Sequence, residues 1–384
     1  MSTTSWIHSL CLACVTTTLI CVGGAGSALG QCVPQTPQPP GAPSNEVVQT
    51  FPATGRSQTA WRVQWGHAVG EGLYITGAWF KRTPAEPWVK ILADARLADI
   101  FAPYNSGYPR YYDLTGFNFR LVPVTPTDLG PCGTALDPVV VKEVLDRGVL
   151  WKDDTEGYRG KELVLWSTLD ASNYNYMIRY AFQDDGTIAF RVGATARNLP
   201  GSEHESHMHE GLWRVDVDLA GSTHDSAIVM RHQQSQDRYS AYTVEEPFNG
   251  GVEGYVDWVD TEFTELRIQD EVATNATGKN ISYDLKPMRS GTVRHPEEFS
   301  QHDFWVTRAR ENELFYTELP TYISNREPVT NTDLVAWYLS SVYHRPRDED
   351  GQEVGPFWKG VALTMWSGFD LKPRNFFNIT PQYP

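Results

Sequence analysis

His207-Met208-His209, in the run Glu203-His-Glu-Ser-His-Met-His-Glu210, is the pattern with the most direct chemical meaning. Residues two apart on a β-strand face the same side, so these two imidazoles can be offered to one metal ion. Imidazole suits copper, zinc, iron and nickel, and the spacing does not choose among them. A solvated loop is the plainer alternative. His204 lies three residues before His207, an offset suited to a helix or turn rather than to this strand. Downstream, Arg214-Val-Asp216-Val-Asp218 puts two carboxylates on one strand face. With the carbonyl between them they offer the oxygen ligands that calcium takes, or else a solvated face balanced by Arg214. Far along the chain, Asp333-Leu334 precedes His344 by eleven residues.

These side chains need elements to hold them. Tyr176-Met-Ile-Arg-Tyr-Ala-Phe182 and Ile188-Ala-Phe-Arg-Val192 flank Gln-Asp-Asp185-Gly186-Thr, which predicts a hairpin with an Asp-Gly turn. Leu163-Val-Leu-Trp166, Leu212 to Leu219 and Leu334 to Leu339 predict further strands. Pro87 to Ile100 predicts a helix, because Val89, Ile91, Leu92, Ala95, Leu97 and Ile100 partly follow a helical period. Many short strands with turn signals, and almost no βαβ alternation, exclude a Rossmann-like sheet. The fold class is therefore mostly β: one large antiparallel β-sandwich over residues 59–384. Residues 31–58, with Pro34, Pro37, Pro39, Pro40 and Pro43, read as an extended or disordered Pro-rich linker.

Residues 1–30 contain no Lys, Arg, Asp or Glu. An apolar stretch from Ile7 to Val22 leads into small residues, with Ala28 and Gly30 placed for cleavage before Gln31. This predicts a signal peptide and a secreted protein. Cys11, Cys14 and Cys21 would leave with it; a disulfide between the remaining Cys32 and Cys132 is allowed and not required. Sequons at Asn275, Asn280 and Asn378 fit a glycoprotein. No later segment is apolar enough to span a bilayer as a helix, so no membrane partner is expected. With 32 Lys+Arg against 47 Asp+Glu the net charge is -15. That argues against a nucleic-acid partner, which needs a basic face.

Taken in order, these features resemble the catalytic domain of the copper amine oxidases. The resemblance rests on His-x-His running into Arg214-x-Asp216-x-Asp218, and on Asn331-Thr-Asp-Leu-Val-Ala-Trp337 with Tyr343-His-Arg-Pro346 and Glu349-Asp350. It extends to Leu371-Lys-Pro-Arg-Asn-Phe-Phe377, to Ser172-Asn-Tyr-Asn-Tyr176 and to Phe101-Ala-Pro-Tyr104 with Tyr112-Asp113. It runs from about Trp61 to the C-terminus and covers the catalytic β-sandwich alone.

The resemblance implies that His207, His209 and His344 bind copper. It implies that Tyr174, after Asn173, is converted to topaquinone. Asp113 is then the general base, and Tyr104 hydrogen-bonds the quinone or its tyrosinate oxygen. Asp216, Asp218 and Asp333, with the carbonyls of Val217 and Leu334, match a second, calcium-like site. The implied reaction condenses a primary amine with the quinone, with Asp113 removing the Cα proton. It releases an aldehyde and uses O2 to return hydrogen peroxide and ammonia. A homodimer is implied as well. Three departures are visible: Asp170 and Asn175 replace the Thr and the acid of the cofactor motif, Val139-Val-Val141 stands near the usual second Cys, and Asp113-Leu-Thr-Gly-Phe-Asn replaces Asp-x-Gly-Glu-Tyr-Gly. The alternative is a copper-binding protein on this scaffold without the quinone, acting as a binding module or in different chemistry.

Overall fold

Strands rich in aromatic and β-branched residues alternate buried and less buried positions, and each must bury one face against another layer. The computed structural model describes residues 32–378 and 381, apart from 54–57, 118, 197–198, 200, 289–293, 349, 351–352, 355–356 and 359–363. The expected signal peptide lies outside the described residues.

Two antiparallel sheets form the layers, as the mostly β sandwich reading expects. The first runs in the order Glu46–Thr50, Ala60–Ala68, Gly72–Lys81, Val89–Pro103, His207–Val217, Leu334–His344, Phe304–Arg308 and Gly254–Val256, with Arg110–Tyr112 beside Val89–Pro103. The second has the hairpin Tyr174–Gln183 with Ile188–Ala196 near its middle, between Met365–Arg374 and Gly157–Ala171. Gly186 closes that hairpin with φ 87°, a conformation that disfavours side chains. Between the sheets Trp61, Phe80, Phe182, Phe190, Trp213 and Tyr338 are fully buried in one continuous core. Trp61 satisfies its ring N–H across the layers on the Gln183 carbonyl, 2.7 Å away. Among the described residues no helix is long and apolar enough to cross a membrane.

The helix expected from Pro87 to Ile100 is instead the strand Val89–Pro103. Against the His207–Val217 strand its register slips at two places, leaving Ala93 and Ala98 without opposite partners. Each bulge shifts the alternation by one residue, and the resulting spacing of apolar residues mimics a helical period. The Pro-rich segment is also more ordered than a linker. Glu46–Thr50 pairs with Ala60–Ala68, and Val47 and Phe51 are buried. Upstream, Val33 N–H donates to the Val144 carbonyl at 3.0 Å, which ties the same segment to the other sheet.

Cys32 and Cys132 form a disulfide across a sequence separation of 100 residues. A loop of that size loses much unfolded-state entropy when closed. Cys32→Ser is expected to lower unfolding free energy by about 2–5 kcal/mol, read as a reduced urea midpoint. An unchanged midpoint would show that the segment 32–50 is held by its hydrogen bonds alone.

Candidate active site

The three expected histidines meet inside the sandwich. His207 lies directly opposite His344 in the register of their paired strands. His209, two residues on, shares the face of His207. All three are buried. Each ring turns one nitrogen outward, hydrogen-bonded in His207 and His209 and only facing the Asp350 carboxylate in His344. His207 Nδ1 is 3.0 Å from the Glu205 carbonyl, His209 Nδ1 is 3.0 Å from the Tyr176 hydroxyl, and His344 Nε2 is 3.5 Å from Asp350 Oδ2. That leaves His207 Nε2, His209 Nε2 and His344 Nδ1 for the centre, with outer partners fixing the ring orientations as in metal sites. His207 Nε2 and His344 Nδ1 are 3.2 Å apart, and the ligand atoms of the triad lie within 4.8 Å of one another. His209 Nε2 is buried with no hydrogen-bond partner. Such an atom lacks compensation for lost water unless an ion occupies the centre. Burial pushes the His207 imidazole down to about 4, and those of His209 and His344 below their ordinary value. All three are neutral at pH 7, the form that ligates metal.

The other sheet supplies the tyrosines. Ala171 and Tyr174 pair across a two-residue turn in which Ser172 has φ 67°. Asp170, in the position of the family's Thr, stabilises this turn by accepting from Ser172 N–H at 3.1 Å. Tyr174 therefore enters at the start of its strand and points across the core. Its hydroxyl lies 2.6 Å from His207 Nε2 and 2.7 Å from His344 Nδ1. Asn175, the second departure, alternates to the opposite face of the strand, so its missing charge is not aimed at the histidines. Tyr176 returns to the inner face, its ring stacked 5.8 Å from that of Tyr174.

Asp113 is also buried here, in the turn after Arg110–Tyr112. The Tyr176 hydroxyl donates to its Oδ2 at 2.5 Å, so Asp113 touches Tyr176 rather than Tyr174. Burial pushes Asp113 up to about 7; the Tyr176 bond works against this and the Asp99 charge adds to it. Tyr104 stacks on the His207 ring at 4.2 Å, and its hydroxyl bonds Asn173. Tyr104 is also close enough to Tyr174 to raise its hydroxyl, after burial, by charge interaction. Tyr176 is a site residue that no motif marks, although its spacing of two from Tyr174 places both rings on one strand face. Asp350, the second residue of the Glu349-Asp350 motif, backs His344 in the structure.

Asp216, Asp218 and Asp333 form a second cluster, with ligand oxygens within 4.8 Å of one another. One oxygen of each is buried without a hydrogen-bond partner. The side chains of Val217 and Leu334 fill the core, so only their backbone carbonyls are left to serve this cluster. Lys90 reaches Asp218 at 2.5 Å, and Arg214 lies 3.9 Å from Asp216. Asp225, absent from the sequence reading, is fully buried nearby with both oxygens unpaired. Burial, and then neighbouring carboxylates, push Asp225 up to about 9; burial also lifts Asp216 to about 7.

The sign for stability follows from the folded chain's tighter hold on these protons. The cost of ionising them is absent below the unfolded value near 4 and grows as pH rises through about 7 and 9. Metal-stripped protein is thus expected to lose thermal stability from pH 5 to pH 8, and calcium to restore more of it at pH 8. Melting curves with chelator or calcium test this. No calcium response at either pH would leave the cluster without a cation.

A match to the model of the copper amine oxidase enzyme domain covers residues 142–383. The chain belongs to the copper amine oxidase family. It is 24% identical to histamine oxidase of Arthrobacter globiformis over 70% of this chain and 45% of that protein. It is 23% identical to peroxisomal copper-containing diamine oxidase 1 of Nicotiana tabacum, over 72% of this chain and 39% of that protein. It thus spans less than half the length of these relatives. The fold matches that of a copper-containing benzylamine oxidase from Hansenula polymorpha with TM-score 0.67 and 19% identity, over 93% of this chain and 64% of the other.

Proposed function

We propose that this chain is a secreted copper- and quinone-dependent oxidase that converts a primary amine to an aldehyde, with release of hydrogen peroxide and ammonia. The observation that carries the proposal is the Tyr174 hydroxyl, held within hydrogen-bond reach of the inward nitrogens of both His207 and His344. The residues fit the metal: three neutral imidazoles converge and one orphaned nitrogen faces the centre. His207, His209 and His344 would hold copper, and with O2 as oxidant and oxygen source the Tyr174 ring would become topaquinone, which would supply an electron sink for the amine.

The chain's own residues do the rest. His207, His209 and His344 are oriented by Glu205, Tyr176 and Asp350, which fixes where the metal sits relative to the ring. The core around Tyr174 excludes bulk water. Asp113 is the group that takes the proton from the carbon bearing the amine, since a carboxylate near 7 matches a base working near neutral pH. Tyr176 holds that carboxylate beside the Tyr174 ring. Tyr104 braces His207 by stacking, and through Asn173 it braces the turn before Tyr174. Asp216, Asp218 and Asp333, with the Val217 and Leu334 carbonyls, would hold calcium as a structural ion.

Histamine, a diamine and benzylamine, named for the relatives, share a primary amine, and the proposed substrate class goes no further. Secretion is supported by the charge-free residues 1–30 and by a disulfide, which persists in oxidising compartments. A homodimer is proposed from the family resemblance. The second reading, a copper protein without the quinone, is favoured by Asp113 reaching Tyr176 in place of Tyr174. Copper loading in air followed by intact mass and visible spectrum separates the two. The oxidase reading requires a mass gain on the Tyr174 peptide and a visible band. Bound copper with an unmodified Tyr174 leaves the second reading.

A further inference from the structure

A carboxylate taken fully out of water is costly unless donors surround it. Asp99, fully buried on the Val89–Pro103 strand, has such donors. Its Oδ1 accepts from Ile100 N–H at 2.7 Å, Leu114 N–H at 3.1 Å and Thr115 N–H at 3.3 Å. Its Oδ2 accepts from the Thr115 hydroxyl at 2.8 Å. The Tyr316 hydroxyl also donates to the Asp99 carboxylate and lies 3.3 Å from Thr115 Oγ1. Among the described residues no Lys or Arg forms an ion pair with Asp99, so the carboxylate is held by dipoles and not by a counter-charge.

Three of these donors belong to the turn that begins at Asp113. The turn is docked on the same strand by Asp113 N–H, which donates to the Ile100 carbonyl at 2.7 Å, and is closed by Gly116 N–H on the Tyr112 carbonyl at 2.9 Å. Leu114 is buried in the main core. Thr115 stands where the resemblance places a glycine, and its hydroxyl adds a contact with Asp99 that a glycine could not make. A turn whose amides converge on one rigid carboxylate has little freedom to rotate, and its first residue inherits that rigidity.

We infer that Asp99 is a positioning residue: its carboxylate clasps the turn 113–116 and thereby sets the Asp113 side chain against the Tyr176 hydroxyl. The inference rests on the reading of Asp113 as base. A base displaced by about 1 Å loses on the order of 10²-fold in rate, so the clasp acts on kcat and leaves amine binding largely alone.

The test uses the full chain with Asp99→Ala, Asp99→Asn, Asp99→Glu and Thr115→Gly. In metal-free protein, hydrogen exchange at the Leu114 and Thr115 amides is expected to quicken at least about tenfold in Asp99→Ala, as local opening becomes easier. In copper-loaded protein kcat should fall about 10²-fold with KM within about threefold, and copper occupancy should match the wild type. Asp99→Asn keeps an acceptor and should fall between. Asp99→Glu should restore part of kcat, and Thr115→Gly, which removes one bond, should show a smaller loss. Unchanged amide exchange in Asp99→Ala overturns the clasp, and so does freed exchange with unchanged kcat. If Asp99→Ala does not fold, Asp99→Asn and Thr115→Gly decide by the same readings. If the wild type shows no turnover, the oxidase reading falls, and the clasp is decided by amide exchange in the metal-free protein.

Discussion

Tyr174→Phe is expected to bind copper as the wild type does and to show no amine oxidation above background. The substitution keeps a ring of the same shape beside Tyr176 and His209, so packing in the core is preserved. What it deletes is the hydroxyl between His207 Nε2 and His344 Nδ1. Those two nitrogens stay turned inward, because Glu205 and Asp350 orient the rings from the other side. The metal site therefore survives while the group to be oxidised is gone. Copper analysis, a phenylhydrazine reaction followed in the visible, and oxygen uptake with a primary amine give the three readings. Tyr176 provides the internal control, since its stacked ring is the nearest alternative phenol. A coloured adduct that persists in Tyr174→Phe and vanishes in a Tyr176 variant would move the cofactor to the neighbouring residue.

Asp113→Asn is expected to lower kcat by about 10²- to 10⁴-fold, the usual worth of a positioned base, with copper loading and the visible band retained. The amide is nearly isosteric and can still accept from Tyr176, so the loss measures proton removal and not collapse of the turn. The pH dependence carries a sign. A base must be ionised, and burial holds Asp113 up near about 7. In the wild type kcat/KM should therefore rise with pH through about 7 and level off above it. Tyr176→Phe removes the bond that favours the charged carboxylate, so the same limb should move to higher pH. A wild-type limb near pH 4, or one unmoved by Tyr176→Phe, would mean that another group takes the proton.

The fate of the Pro87–Ile100 segment shows where local reading stops. Its apolar spacing is real, yet bulges at Ala93 and Ala98, set by the partner strand, produce that spacing within a strand. The Pro-rich segment makes the same point. Its composition disfavours regular structure, but an open sheet edge and a disulfide partner 100 residues away give Glu46–Thr50 something to pair with.

The residue chemistry of the candidate site was legible where it depends on strand period and turn type, which are local. His207 and His209 share a face because of the two-residue repeat, the Asp-Gly turn forms because Gly186 tolerates φ 87°, and Asp216 and Asp218 project together for the same reason as the histidines. The resemblance added His344, Tyr174 and Asp113 as candidates. Their meeting, however, depends on register between strands far apart in the chain and on the separation of two packed sheets. His344 lies opposite His207 only because one pairing among many was chosen, and a slip of one residue would turn its ring to the other face. Tyr174 reaches the histidines from the other layer, Tyr176 takes the contact with Asp113, and Asp99 gathers the turn beneath it. No neighbour in sequence specifies those contacts; they are settled by the free energy of packing and hydrogen bonding over the whole core, where each buried polar group must find its partner.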